Sequence, residues 1–178
     1  MESEWFRIVK DNEALNPKLL ALRPQPSALK FQIDHSTFEK IDDSVSYYKN
    51  LIYNLKNDFI FEPTFLISDR LQQLFSFLEP DIQFKGVQLY ATNDQEGSSK
   101  PLYWLPYLQT VNAIHESTKT IQGKPIKIIL RREVLKDRRV IHCTLPAADI
   151  WLLSLEAAEC LLRRSPIGVS LEKVSEII

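Results

Sequence analysis

The chain has 178 residues, 44% hydrophobic and 25% charged, with 22 basic and 23 acidic side chains for a formal net charge of -1. Folding at this length buries roughly 70% of the unfolded surface, so a disulfide or metal staple is not required. A balance this close to neutral excludes a nucleic-acid binder driven mainly by phosphate neutralisation and leaves only a local basic patch for that role.

The charge is uneven along the chain. Residues 1–98 hold 10 Lys and Arg against 15 Asp and Glu, a balance of -5; residues 99–178 hold 12 against 8, a balance of +4. Cys143 and Cys160 are too few for a disulfide framework, and their apolar surroundings predict buried free thiols in a reducing compartment. The opening "MESEWFRIVK" has acids where a secretory signal needs bases. No apolar run approaches the ~18 residues that span a bilayer. These features predict a cytoplasmic protein.

In chain order, "WFRIV" (Trp5 to Val9) is a short β-prone run. "NPKLLALRPQPSALKFQID" carries Pro17, Pro24 and Pro26, which fix φ and remove donors, so it reads as extended or looped chain. "SVSYYKNLIYNLKND" places Val45, Tyr48, Leu51, Ile52 and Leu55 at helical spacing, capped by Ser44. In "FLISDRLQQLFSFLEP", Ser68 is the expected N-cap and Asp69 suits the first turn. Leu71, Leu74, Phe75 and Leu78 form the apolar stripe, and Pro80 is the stop. "DIQFKGVQLYAT" alternates as a strand, but Val87 and Leu89 fall out of phase with Ile82 and Phe84, which predicts a bulge at Gly86.

"NDQEGSSK" is a polar turn. In "PLYWLPYLQTVNAIHES", Pro106 argues for a strand, an interruption, and then more strand or a helix. Ile126 to Leu130 reads as a strand, "RREVLKD" as a turn and "RRVIHCTL" as a second strand, together a hairpin. "IWLL" is a buried strand leading to the clearest unit. There Ser154 caps a helix with Glu156 in its first turn, Leu155, Ala158, Leu161 and Leu162 as its stripe, and Arg163 and Arg164 in its last turn. Pro166 and Gly168 end it, and "VSLEKV" closes as a strand. Both units run strand, Ser, helix, Pro, strand, with 12 residues from Ser68 to Pro80 and from Ser154 to Pro166. Shared capping rules account for that spacing, an ancient duplication being the other reading.

Chemistry-bearing residues are sparse. His35, His115 and His142 form no i, i+4 pair and there is no Cys-x-x-Cys, so no zinc motif is present; no metal or cofactor is expected. Gly86, Gly97, Gly123 and Gly168 never cluster into a phosphate-cradling loop. His142 and Cys143 are adjacent on a strand and point to opposite faces, which suits a core thiol better than a nucleophile with its base. The aromatic group Tyr103, Trp104 and Tyr107 reads as core beside Pro106, with a binding patch as the alternative. Segment 124–139 holds Lys124, Lys127, Arg131, Arg132, Lys136, Arg138 and Arg139. On a hairpin such bases either form a stripe that meets an acidic partner or simply block edge pairing.

Taken together, the segments "FLISDRLQQLF", "IQFKGVQLY", "LYWLPYLQTVNAIHEST", "RRVIHCTL" and "IWLLSLEAAECLLRRSPIGVSLEKV" resemble, in order, a bacterial family of immunity proteins of polymorphic toxin systems, formerly a domain of unknown function. The resemblance covers Phe65 to Val174. It departs from the family pattern after the last capping serine, where Leu155 stands in place of an acid and Glu156 follows one later. The resemblance implies a non-enzymatic protein that binds and occludes a cognate toxin, and it carries no catalytic residues.

The expectation is therefore an α+β fold: a mixed sheet with a few helices and two strand-helix-strand units. Residues 1–178 would form a single domain, 1–60 its N-terminal portion and 61–178 its main portion. The expected partner is a toxin protein, with Arg131, Arg132, Arg138 and Arg139 as candidate contacts, no membrane, no nucleic acid, and homo-oligomerisation left open. The alternatives are an enzyme with a site near His115, Glu116 and Cys143, or a nucleic-acid-binding accessory domain using segment 124–139.

Overall fold

The computed structural model describes residues 4–13, 19–23, 33–42, 44–48, 56–92 and 100–178. Its N-terminal elements are β1 (Trp5–Lys10), β2 (Leu19–Arg23), α1 (His35–Lys40), β3 (Ser44–Tyr48) and β4 (Phe59–Ile60). The middle comprises β5 (Leu66–Ser68), α2 (Asp69–Leu78), β6 (Gln83–Ala91), β7 (Leu102–Tyr107), β8 (Lys119–Ile121) and β9 (Lys124–Lys127). Then come β10 (Ile129–Leu130), α3 (Arg132–Leu135), β11 (Val140–Leu145), β12 (Ala148–Ser154), α4 (Leu155–Leu162), β13 (Val169–Lys173) and β14 (Glu176–Ile177). The fold is α+β.

Two sheets dominate. One is mixed, in the order β2-β3-β6-β7-β5-β4, with β3 and β6 parallel. The other is antiparallel, in the order β11-β12-β1-β13. Each strand-helix-strand unit brackets a strand from elsewhere: β5 and β6 flank β7, and β12 and β13 flank β1. The N-terminal strand is thus an inner strand of the C-terminal sheet. Helices α2 and α4 touch each other and share one core between the sheets. They pack on different sheets rather than on one.

The apolar periodicities explain this core. α2 buries Leu71, Leu74, Phe75 and Leu78, the expected stripe. α4 buries Ala158 and Leu161 of its expected stripe together with Ala157, leaving Leu155 and Leu162 exposed. Alanines let the helix approach β1 and β12 closely, which rotates it away from the leucine-based register. Facing side chains from the sheets include Phe59, Phe65, Ile67, Ile8, Val140, Trp151 and Leu153.

Each sheet also buries its outer face. Ile60, Leu66, Val87, Leu89, Tyr103 and Leu105 lie beneath Phe38 of α1, and Ile141, Cys143, Ile150 and Leu152 lie beneath Ala113, Ile128 and Leu130. This resolves the phase break in β6. Its register with β7 runs unbroken from Gln83↔Tyr107 to Gln88↔Leu102, so Gly86 forms no bulge. Phe84 belongs to the central core and Val87 to the outer one, because different ends of the strand are covered on different faces.

Other expectations are corrected. Ser44–Tyr48 is a strand, not a helix: Val and Tyr suit a pleated surface, and β3 pairs with both β2 and β6. Leu51, Ile52 and Leu55 lie outside the described residues. α1 begins at an unread cap, where Asp34 accepts from Thr37 N at 2.7 Å. β7 runs through Pro106 because β5 flanks it only as far as Trp104, so that side is an edge beyond. The expected 126–130 strand is split at Ile128. Its parts pair with β8 and, in parallel, with β14, while β11 pairs with β12, so segment 124–139 is not a hairpin.

Candidate functional site

β1 pairs with β13 from Phe6 to Lys10 but with β12 only from Trp5 to Arg7. Beyond Arg7, β1 and β12 part, and a cleft of about 290 Å³ opens between them. Arg7 to Lys10 form one side and Ala147 to Asp149 with Trp151 the other; Phe61, Glu62, Thr64, Phe65 and Lys124 complete it.

Sheet geometry places these groups. The β11–β12 turn at Pro146 and Ala147 is two residues long, which sets His142 opposite Trp151. The Trp151 ring stacks on His142 at 4.4 Å and on Phe65 at 5.2 Å between centroids. Behind that stack, the His142 ring lies between two acceptors: its Nδ1 is 3.0 Å from Leu108 O and its Nε2 is 2.5 Å from Asp149 Oδ1. A carbonyl can only accept, so Nδ1 donates to Leu108 O, and Nε2 is left facing the Asp149 carboxylate. Asp149 Oδ2 accepts from the Trp151 indole at 3.3 Å. The hairpin β8–β9 reaches the rim through Gly123, whose φ is +76° and where an added Cβ would lie 2.8 Å from Ala147 Cβ. That contact brings Lys124 to the cleft mouth.

The cleft carries three cations, Arg7, Lys10 and Lys124, and two acids, Glu62 and Asp149. Lys10 is 3.8 Å from Glu62 and Asp149 is held by His142, so these charges are matched. Lys124 makes no ion pair among the described residues. Arg7 is 3.9 Å from the exposed Glu172, and its buried Nε has no hydrogen-bond partner among the described residues. Burial lowers the Arg7 pKa, an effect that Glu172 only partly offsets.

A second polar cluster is closed. The Asp58 carboxylate, 2% exposed, accepts from Ser68 Oγ at 2.6 Å, from Nε of Arg70 at 2.6 Å, from Nη2 of Arg70, and from Ile167 N at 2.8 Å. Arg70 also donates to Arg164 O and Ser165 O at 2.9 and 3.2 Å, past the end of α4. Burial raises the Asp58 pKa, but the bonds from Arg70, Ser68 and Ile167 outweigh it and hold the pKa below its ordinary value. With its acceptors filled, this cluster joins elements and offers nothing to a ligand.

The sequence-derived site residues are dispersed. His115 is half-buried and accepts from Ser117 N at 3.2 Å, and Glu116 is exposed. Cys143 is buried, and burial pushes its thiol up to about 11. None of the three lines the cleft. His142 and Cys143 do face opposite sides, in the central and outer cores. Cys160 is only half-buried, not buried as its setting predicted; both cysteines are free.

Arg131 is half-buried with Nε 3.4 Å from Ile114 O, and Arg132 N donates to Ile178 O at 2.7 Å. Arg138 is half-buried and acts on the buried Glu79 carboxylate, while exposed Arg139 donates to Glu156 at 3.0 Å. The four arginines therefore form no single hairpin stripe. Tyr103 is buried and donates to Asn57 O, Trp104 donates to Asp69 at 2.8 Å, and Tyr107 stacks on Phe38 at 4.9 Å. Sequence reasoning missed Arg7, Lys10, Asp149 and Trp151. The available signal was His142 and Trp151 flanking a tight turn, but "LPAA" lacks the Asn-Gly type of marker that fixes hairpin register.

Among the described residues, no helix is long and apolar enough to cross a membrane, and no group of three or more His, Cys, Asp or Glu side chains is placed to hold a metal. No protein-family model matches the chain, and no curated protein matches it.

Proposed function

We propose that this chain is a non-enzymatic binding protein that neutralises a cognate bacterial toxin by occluding its active surface. One observation carries the reading: the side chains best suited to chemistry are committed to the fold. The buried His142 is bound to the half-buried Asp149, Asp58 has its acceptors filled, and the Cys143 thiol is protonated at neutral pH. The ordered resemblance of the segments from Phe65 to Val174 supports the same class. A binder needs complementary surface rather than a reactive group. The exposed Arg132 and Arg139 are the accessible members of the candidate contact set.

The test is co-expression in a sensitive bacterium with the toxin domain encoded beside this chain, followed by size-exclusion chromatography of the purified pair. Survival and a stable complex are expected. Equal killing with and without this protein, with no complex, rejects the reading. Within a complex, Arg132→Glu with Arg139→Glu should slow association and weaken its salt dependence, as rim charges do, without changing the fold.

A further inference from the structure

The cleft between β1 and β12 has the form of a ligand site, and it is independent of the toxin-binding reading. Its volume of about 290 Å³ lies at the lower end of small-molecule pockets. It arises where two backbone strands part, so it is part of the sheet architecture and not a gap left by one side chain. Phe61, Phe65 and Trp151 give it an apolar wall. Its acids already have partners, whereas among the described residues Lys124 makes no ion pair and the buried Nε of Arg7 has no hydrogen-bond partner.

We infer that this cleft binds a small ligand with a flat apolar body and one anionic group, a carboxylate or a phosphate, received by Arg7 and Lys124. An anion there would supply the acceptor that Arg7 lacks, and charge-assisted hydrogen bonds of this kind are the strong ones. Trp151 and Phe65 belong to the central face with Ile8, whereas Arg7 shares the outer face with Trp5 and Leu152. The ligand would therefore thread the gap between the strands, its ring against Phe61 and the ring edges behind it and its anion at Arg7. Apolar burial there adds affinity that a bare ion cannot gain. Lys10 is already engaged by Glu62 and contributes less.

The experiment is calorimetric titration of the full chain with 2-naphthoate, 2-naphthyl phosphate, neutral 2-naphthamide, acetate and inorganic phosphate. At least one naphthyl anion should saturate a single site, at least about tenfold tighter than 2-naphthamide and than either bare ion. Which of the two binds tighter identifies the headgroup. Lys124→Gln alters an exposed residue with no described ion pair, so it should keep the denaturation midpoint while weakening that binding about three- to tenfold. Arg7→Gln should weaken it further, with circular dichroism checking the fold. Equal affinity for 2-naphthamide, an unchanged affinity in Lys124→Gln, or no saturation by either naphthyl anion would overturn the inference.

Discussion

The Asp58–Arg70 cluster makes a sharp prediction about stability, because its partners are unequal in exposure. Asp58 is 2% exposed at its side chain and Arg70 49%. Replacing Arg70 with Met strands a buried carboxylate that keeps only the Ser68 hydroxyl and the Ile167 N–H. Breaking a buried pair in this way costs 3–5 kcal/mol where both charges are buried, and the exposure of Arg70 places the expectation near the lower end, about 3 kcal/mol.

Asp58→Asn is milder, about 2 kcal/mol, since Arg70 can turn to solvent and the amide oxygen still accepts. The double variant has no stranded charge. It should cost about 2 kcal/mol, less than Arg70→Met alone and well below the sum of the single changes. Urea denaturation midpoints at constant m-value measure all three. Additive costs would refute the account of the cluster as a closed charge pair.

The same cluster fixes a pH dependence. The folded pKa of Asp58 lies below its unfolded value of about 3.9, so the unfolded chain binds the extra proton. The stabilisation is therefore complete above that value and disappears as pH falls through the folded pKa. Acidification below about pH 4 should destabilise the natural chain more steeply than Asp58→Asn.

Ser154→Ala should cost about 1 kcal/mol, because the Ser154 side chain accepts from Ala157 N at 3.3 Å; an unchanged urea midpoint would refute the cap. Cys143 should resist alkylation in the folded protein. With its thiol pushed up to about 11, its thiolate fraction at pH 8 is roughly two orders of magnitude below that of a free cysteine. Site-resolved mass spectrometry after iodoacetamide treatment checks this, and native labelling of Cys143 at the rate of an exposed thiol would contradict it.

What was legible in the sequence was local. Both strand-helix-strand units could be read because helical apolar spacing and stopping prolines act within a dozen residues; of the two expected serine caps only Ser154 forms its side-chain bond. The Ser44–Tyr48 strand was misread because its choice depends on β2 and β6, partners distant in sequence. Of the expected α4 stripe, Ala158 and Leu161 are buried while Leu155 and Leu162 are exposed and Ala157 is buried instead, because packing against β12, β1 and α2, and not side-chain hydropathy alone, sets the buried face. The cleft was invisible for a related reason: Arg7 and Asp149 are separated by most of the chain, and only the insertion of β1 between β12 and β13 brings them together.

The two serines at equivalent places in the two units show how the halves are held together. Ser154 caps its own helix. Ser68 makes no side-chain cap and instead donates to Asp58, whose carboxylate also accepts from Ile167 N, just before β13 of the other sheet. A second polar tie runs the other way, from His142 in the four-stranded sheet to Leu108 O, just past β7 of the six-stranded one. Each tie is saturated with hydrogen bonds, and a saturated buried network fixes one arrangement of the elements it joins. Against that background Arg7 is the exception. Its Nε is the buried side-chain polar atom without a partner among the described residues, and it lies beside the cleft where β1 leaves β12. Among the described residues, then, Arg7 is the buried side chain that could take an outside acceptor, and it lines the cleft proposed to supply one.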